Sequence, residues 1–179
     1  MIKLNAEKHQ PGILFAAQLL CVAARTAPKS KGMDFLVTAV VTGSQKMRLC
    51  RRMREIAKRD KADFFERDAG NIERAPAVVL LGSRKEPLGI PRCGCCGFKD
   101  CNAMKAAGGT CAFNSTDLGI AVGSAASRAA DLRLDNRVMY SAGKAALELG
   151  LLGKGVAIAY GIPLSATGKS PFFDREKKK

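Results

Sequence analysis

The chain has 179 residues, 47% of them hydrophobic, which is enough for one compact unit with a sizeable core. Its net charge of +14 attracts anions, whether nucleic acid, phosphate cofactor or acidic redox protein, and does not choose among them. Five of the seven cysteines crowd between Cys93 and Cys111. That clustering excludes a disulfide framework, which spreads its cysteines to close loops, and points to metal ligation in a reducing, cytoplasmic compartment.

Gly12 to Ala24 is mostly apolar and follows Lys3 and Lys8, a faint echo of a leader. Gln18 interrupts the run and no small-x-small site follows. The run is also too short to span a bilayer, so a buried helix over 11–24 and no membrane association are expected. Phe35-Leu-Val-Thr-Ala-Val-Val41 is β-branched and apolar and predicts a strand. In 44–61, Leu49, Met53, Ile56 and Ala57 recur at helical spacing. The opposite face carries Lys46, Arg48, Arg51, Arg52, Arg54, Lys58, Arg59 and Lys61 and reads first as a solvated surface. Ala77-Val-Val-Leu-Leu81 predicts a second strand.

Residues 88–113 are Gly-rich and aperiodic and form a Cys-rich metal-binding insert in a single domain, 1–179. Helices are expected over 116–132 and 136–151, the second with a small-residue stripe, Val138, Ala142, Ala145, Ala146 and Leu149, suited to close packing. Asp135-Asn136-Arg137 is expected to start that helix, with Asp135 or Asn136 as its cap. Gly155 to Tyr160 predicts a third strand. Helices alternating with strands indicate an α/β or α+β sandwich of a central sheet and helices.

The cysteine spacing is Cys93-x2-Cys96-x4-Cys101-x9-Cys111, with Cys95 extra. Four soft thiolates, one per iron, satisfy a [4Fe–4S] cluster, and Gly94, Gly97, Gly108 and Gly109 let the backbone wrap it. Structural zinc on the same four thiolates is the alternative metal. Arg92 and Lys99 border the site, where positive charge would favour the reduced cluster. Cys21 and Cys50 fall on helical apolar faces and read as packing residues. His9 is the only histidine, so neither a mixed Cys/His site nor a hydrolase triad gains support. Thr167-Gly-Lys-Ser170 lacks the strand-loop-helix context of a phosphate loop.

The run Leu88-Gly-Ile-Pro-Arg-Cys-Gly-Cys-Cys-Gly-Phe-Lys-Asp-Cys101, with Asp117-Leu-Gly-Ile-Ala-Val-Gly-Ser124, Asp135-Asn-Arg-Val-Met139 and Gly161-Ile-Pro-Leu-Ser-Ala166, resembles an uncharacterised family of ferredoxin domain-containing proteins. That resemblance covers nearly the whole chain and implies an iron–sulfur site without an assigned reaction. Ala23-Ala-Arg-Thr-Ala-Pro-Lys-Ser30, Gly143 to Leu152 and Gly155 to Pro163 are similar to segments of nitroreductase-type flavoproteins. This second resemblance implies a nitroreductase-like fold, a homodimer, and FMN held through its phosphate by Arg25, Thr26, Lys29, Ser30 and Lys169. The paired arginines flanking a serine and the Asn-x-Gln-Pro-Trp continuation of that group are missing.

The expected function is therefore an iron–sulfur redox protein that exchanges electrons with an unidentified partner protein or with FMN. The contrasting expectation is a non-enzymatic, metal-stabilised binding module whose basic face meets an acidic protein or nucleic acid. Nucleic acid is the weaker choice, since aromatic stacking partners are scarce on that face.

Overall fold

A computed structural model describes residues 10–173, so His9 and the end of the basic tail lie outside the described residues. Helix α1 spans Gln10–Thr26, followed by a 3-10 turn at Ser30–Gly32 and strand β1, Leu36–Val41. Two helices come next, α2 (Gly43–Asp60) and α3 (Asp63–Arg74), then strand β2, Ala77–Arg84. The cysteine insert contains a short helix α4, Cys101–Ala106, and leads into α5, Ala112–Asp131. The chain continues through β3 (Asp135–Asn136), α6 (Tyr140–Glu148) and β4 (Val156–Ser165).

The four strands form one sheet in the order β1-β2-β4-β3, with every pairing antiparallel. Strand β2 is apolar without alternation because both its faces are covered. Val78 and Leu80 face a core with α2, α3 and α6, whereas Ala77, Val79 and Leu81 face a core with α1 and α5. The result is three layers, helix–sheet–helix, with the insert leaving from the Arg84 end of the central strand.

The expected strand at 155–160 extends to Ser165 and includes Pro163, although β4 is an interior strand. Gly161 exchanges hydrogen bonds with Met139 on the β3 side, at 2.8 and 3.0 Å. By strand alternation Pro163 turns the same way, into the gap before Asp135 meets Ser165, so its missing N–H breaks no ladder bond.

Three expectations are corrected. Helix α3 has no counterpart in the predicted elements, because its buried face carries Asp68 and Asn71 among Phe65, Ala69 and Ile72. Asp68 is tolerated there because Ser141 donates to it at 2.6 Å and Arg67 pairs with it at 2.9 Å. Asp135 and Asn136 do not cap a helix; they pair with Ser165 and Leu164 as β3, and α6 is capped at Met139. Lys46 does not belong to the solvated face of α2, since it is buried and donates to the main-chain oxygens of Glu73 (2.9 Å) and Ala75 at the end of α3. Burial lowers its pKa, while the neighbouring Cys50 and Glu73 act the other way.

Three arginines of that face are laced with carboxylates, while Arg48, Arg51, Lys58 and Lys61 are exposed. Arg54 takes both oxygens of Glu73 at 2.6 and 2.8 Å and one of Glu66 at 2.9 Å. Arg52 pairs with Glu55 and Glu148, and Arg59 with Asp60 and Glu148. Cys50 is fully buried and packs in this layer as expected; burial pushes its thiol up to about 11.

The small stripe on α6 lets it lie almost on the backbone of β4. Ala142, Ala145 and Ala146 are fully buried, and a Cβ on Gly143 would stand 1.9 Å from the carbonyl oxygen of Ala159. Val138 departs from the expected stripe and is exposed. Gly143→Val is expected to destabilise the fold by about 3 kcal/mol, since backbone cannot yield to the added carbons. Urea unfolding followed by circular dichroism measures this, and an unchanged midpoint would rule the close approach out.

Candidate metal centre

The insert is tied to the scaffold mainly through backbone carbonyls. Lys31 Nζ donates to Leu88 O at 3.1 Å, Asn114 Nδ2 to Glu86 O at 2.9 Å, and Lys85 Nζ to Gly108 O. Beneath it lies a small apolar cluster of Leu88, Met104 and Cys111, with Phe35, Ile90, Phe98 and Phe113 packed against them. A Cβ at Gly109 would meet Met104 and Phe98 at 3.0 Å, so glycine is what lets that turn close.

The loop reverses through positive-φ residues, Arg92 (+57°), Gly94 (+59°) and Gly97 (+81°), and Gly97 N–H closes back on Gly94 O at 2.9 Å. Two of these three are glycines, for which the left-handed region costs little; Arg92 takes it with a side chain. Cys93 and Cys96 are presented from this turn. Cys101 opens α4, whose cap is Asp100, its carboxylate accepting Ala103 N–H at 2.8 Å. Cys111 is the cap residue of the 20-residue α5 and is 6% exposed. Both sulfurs therefore sit at the positive ends of helices, where negative charge is favoured.

The turn and the two helix starts surround one cavity of about 240 Å³, and Cys93, Cys96, Cys101 and Cys111 all line it. Cys95 is exposed and its sulfur turns to Cys93 O at 3.5 Å. Among the described residues, no three His, Cys, Asp or Glu side chains converge on a point that would hold a single metal ion. The four thiols share the lining of that one cavity. Their donor chemistry, soft sulfur with one thiolate for each iron, suits a multi-iron cluster.

The residues nominated for FMN divide into two groups. Arg25, Thr26, Lys29 and Ser30 lie together where α1 runs toward β1. Arg25 pairs with Asp34 at 2.7 Å and donates to Leu36 O at 2.7 Å, yet its side chain remains 44% exposed. Burial alone would raise the Asp34 pKa; Arg25 and the Leu36 N–H together hold it below the usual value. Thr26 bonds back to its own helix. The Lys29 side chain is buried and caps the end of α1, donating to the oxygens of Arg25 (2.5 Å), Ala27 (2.9 Å) and Ala24 (3.4 Å). Ser30 gives both its N–H (3.1 Å) and its hydroxyl (2.8 Å) to Asp117.

Lys169 belongs to the other end of the sheet. Leu36 pairs with Ser83 and Ser83 with Ile158, whereas Val41 pairs with Val78 and Val78 with Pro163. Five strand steps, about 16 Å, thus separate the loop before β1 from the segment after β4. In one protomer the register sets the end of β4 apart from the other four residues.

A protein from Archaeoglobus fulgidus, described as uncharacterized, is 40% identical over 176 residues, covering 94% of each chain. Residues 107–175 match the family model described as an uncharacterized protein containing a ferredoxin domain. The chain belongs to that family. The matched stretch takes in Cys111 and starts after Cys93, Cys96 and Cys101. Among solved structures, a nitroreductase with bound FMN from Desulfitobacterium hafniense superposes with a TM-score of 0.60 at 16% identity, over 87% of this chain and 78% of that one. A nitroreductase from Lactococcus lactis in complex with nicotinic acid gives 0.62 at 10% identity, over 93% and 84%. A BluB-like flavoprotein from Clostridium difficile gives 0.57 at 16% identity, over 99% and 86%. At these identities the likeness establishes a nitroreductase-like fold, as the sequence led one to expect.

Two residues of this ferredoxin-domain protein escaped sequence reasoning. Asn114 is 2% exposed and its Oδ1 has no partner, while Asp117 receives Ser30. Both line a pocket of about 10 Å³, room for about one water. The signal available was a polar residue, Asn114, in the buried helical repeat that continues through Leu118, Ala121 and Ala125. Asn114→Ala frees the Glu86 carbonyl that anchors the insert. It is expected to cost about 1–3 kcal/mol and to speed amide hydrogen exchange over residues 84–92 before any other segment. Equal exchange in that segment would show that the anchor is idle.

Proposed function

We propose that this protein is a cytoplasmic iron–sulfur redox protein that holds a [4Fe–4S] cluster on Cys93, Cys96, Cys101 and Cys111 and relays single electrons. The observation that carries the proposal is the shared cavity, lined by those four thiols and not by Cys95. Family membership, with its ferredoxin domain, and a fold shared with flavin-containing oxidoreductases both support a redox role. A bound cluster supplies one-electron transfer with no proton or atom moved. The chain's own residues do the rest: the Gly94–Gly97 turn places two sulfurs, α4 and α5 orient two more, and Leu88, Met104 and Phe98 keep water from the inner side. No described helix is long and apolar enough to cross a membrane.

Anaerobically purified protein is expected to absorb broadly in the visible, bleach with dithionite, and carry about four irons and four sulfides per chain. Cys93→Ser and Cys111→Ser are each expected to lose most of that iron, and Cys95→Ser to keep it. A colourless protein with one zinc would sink the redox reading and leave the metal-stabilised binding module.

The proposal extends to a homodimer with FMN at its interface. Exposed Phe15 and Val22 on α1 and Ile120 on α5 give the outer layer an apolar face for a second copy. The loop of Arg25, Thr26, Lys29 and Ser30 would take the phosphate from one protomer, with Lys169 reaching it from the other. As folded, Lys29 and Ser30 are committed to internal partners, so the support for flavin is the fold and the exposed Arg25 guanidinium. Heat-released flavin near one per chain, in a sample that sediments as a dimer, is the expected result. Dimeric protein free of flavin removes FMN from the proposal and leaves the cluster relay standing.

A further inference from the structure

We propose that the basic rim of the cysteine cavity is the docking surface for an acidic protein electron carrier, an inference that rests on the iron–sulfur reading above. Two basic regions stand out among the described residues, and they differ in where their charge sits relative to the cysteine cavity. On α2, Arg52, Arg54 and Arg59 are ion-paired with Glu55, Glu66, Glu73, Glu148 and Asp60, and Lys46 is buried. Arg48, Arg51, Lys58 and Lys61 on the same face are exposed and outside any ion pair among the described residues, so that surface is only partly compensated.

The rim is different. Residues 84–111 hold five basic side chains against two acidic ones, Glu86 and Asp100. Asp100 spends one carboxylate oxygen on the start of α4. Arg92 and Lys99 line the cavity, and Lys105 stands on the exposed side of α4 two turns away from it at most. Among the described residues none of these three is in an ion pair. Their field is therefore directed outward, toward a partner.

The exposed Gly94-Cys95 tip brings the ligand turn to the surface at the same place. An electron entering there has the shortest covalent path to Cys93 and Cys96. Ile90, Pro91 and Phe98 also line the opening and supply an apolar centre inside the charged ring. Nucleic acid fits less well, because bases need aromatic platforms and Phe98 is half-buried in the insert's own core. In the transfer itself the reduced carrier loses one electron and the cluster gains it, with no bond made or broken.

The test is stopped-flow reduction of cluster-loaded protein by a reduced acidic plant-type ferredoxin across a salt series, with dithionite as the small-molecule control. For the wild type the second-order rate constant is expected to fall steeply as salt rises. Arg92→Glu combined with Lys99→Glu and Lys105→Glu is expected to lower it at least roughly tenfold at low salt, the scale of electrostatic steering. Iron and sulfide should stay as in the wild type, and the rate with the small dithionite anion should change far less than the carrier rate. Arg48→Glu with Arg51→Glu and Lys58→Glu on α2 should leave the carrier rate unchanged.

A rim variant as fast as the wild type, or an α2 variant slowed equally, overturns the docking surface while the cluster spectrum keeps the iron–sulfur reading. Protein that never acquires a cluster overturns both. If the rim variant loses binding to a labelled single-stranded oligonucleotide yet keeps its carrier rate, the surface belongs to nucleic acid and the proposal falls.

Discussion

Four cysteine sulfurs facing one cavity repel one another as soon as they ionise, and every other feature of the insert answers to that. Beside them, the Cys95 thiol is held above the usual thiol range by its hydrogen bond with Cys93 and by the nearby Cys93, Cys96 and Cys111. Countercharge has to come from somewhere. Helix starts at Cys101 and Cys111 offer part of it and basic side chains around the rim offer more, but bound metal is the strong source. The insert's own apolar cluster, with only Leu88, Met104 and Cys111 buried at its heart, is small beside the two cores on either side of the sheet. Metal binding and local order are therefore expected to be linked in this segment, while the three-layer scaffold stands on its own packing.

The scaffold in turn limits how the insert can be held. Strand β2 has no free face, so the chain leaving Arg84 runs over the sheet end and is held there by its main-chain groups. Lys31, Lys85 and Asn114 take three of them. This explains why residues far from the cysteines in sequence decide where the sulfurs point. It also places the 3-10 turn beside the insert, through Ser30 and Asp117 on one side and Lys31 and Leu88 on the other. A change at the cavity is mechanically connected to the loop before β1.

Much of this was legible beforehand. The β-branched runs gave β1 and β2 because buried strands need apolar residues on both faces, and the helical repeat in 44–61 gave α2. The cysteine spacing singled out the four residues that line the cavity and set Cys95 aside. What could not be read depends on partners distant in sequence. Helix α3 hides because Asp68 is polar until Ser141 meets it. The Asp135-Asn136 pair looks like a helix cap until β4 arrives to make it a strand. Arg52 and Arg54 on α2 look available until Glu148 and Glu73 fold against them. Nor does the sequence hint that Lys169 lies a strand's length from the loop it was grouped with, since chain order carries no record of sheet register.

The far end of the chain holds a less obvious lesson. Phe172 is 2% exposed and completes the core of α2, α3 and α6, with Arg74 holding Pro171 O and Arg137 holding Phe172 O while lying 5.4 Å over the Phe173 ring. The central strand β2 likewise waits for β4, emerging from the ribosome long before the partner that sits between it and β3. During synthesis the cysteine segment thus emerges before the sheet can close, since closure waits for β4. Such late, non-local pairing makes folding slow. The thiols of the insert are therefore in place before the strand that completes the sheet beneath them.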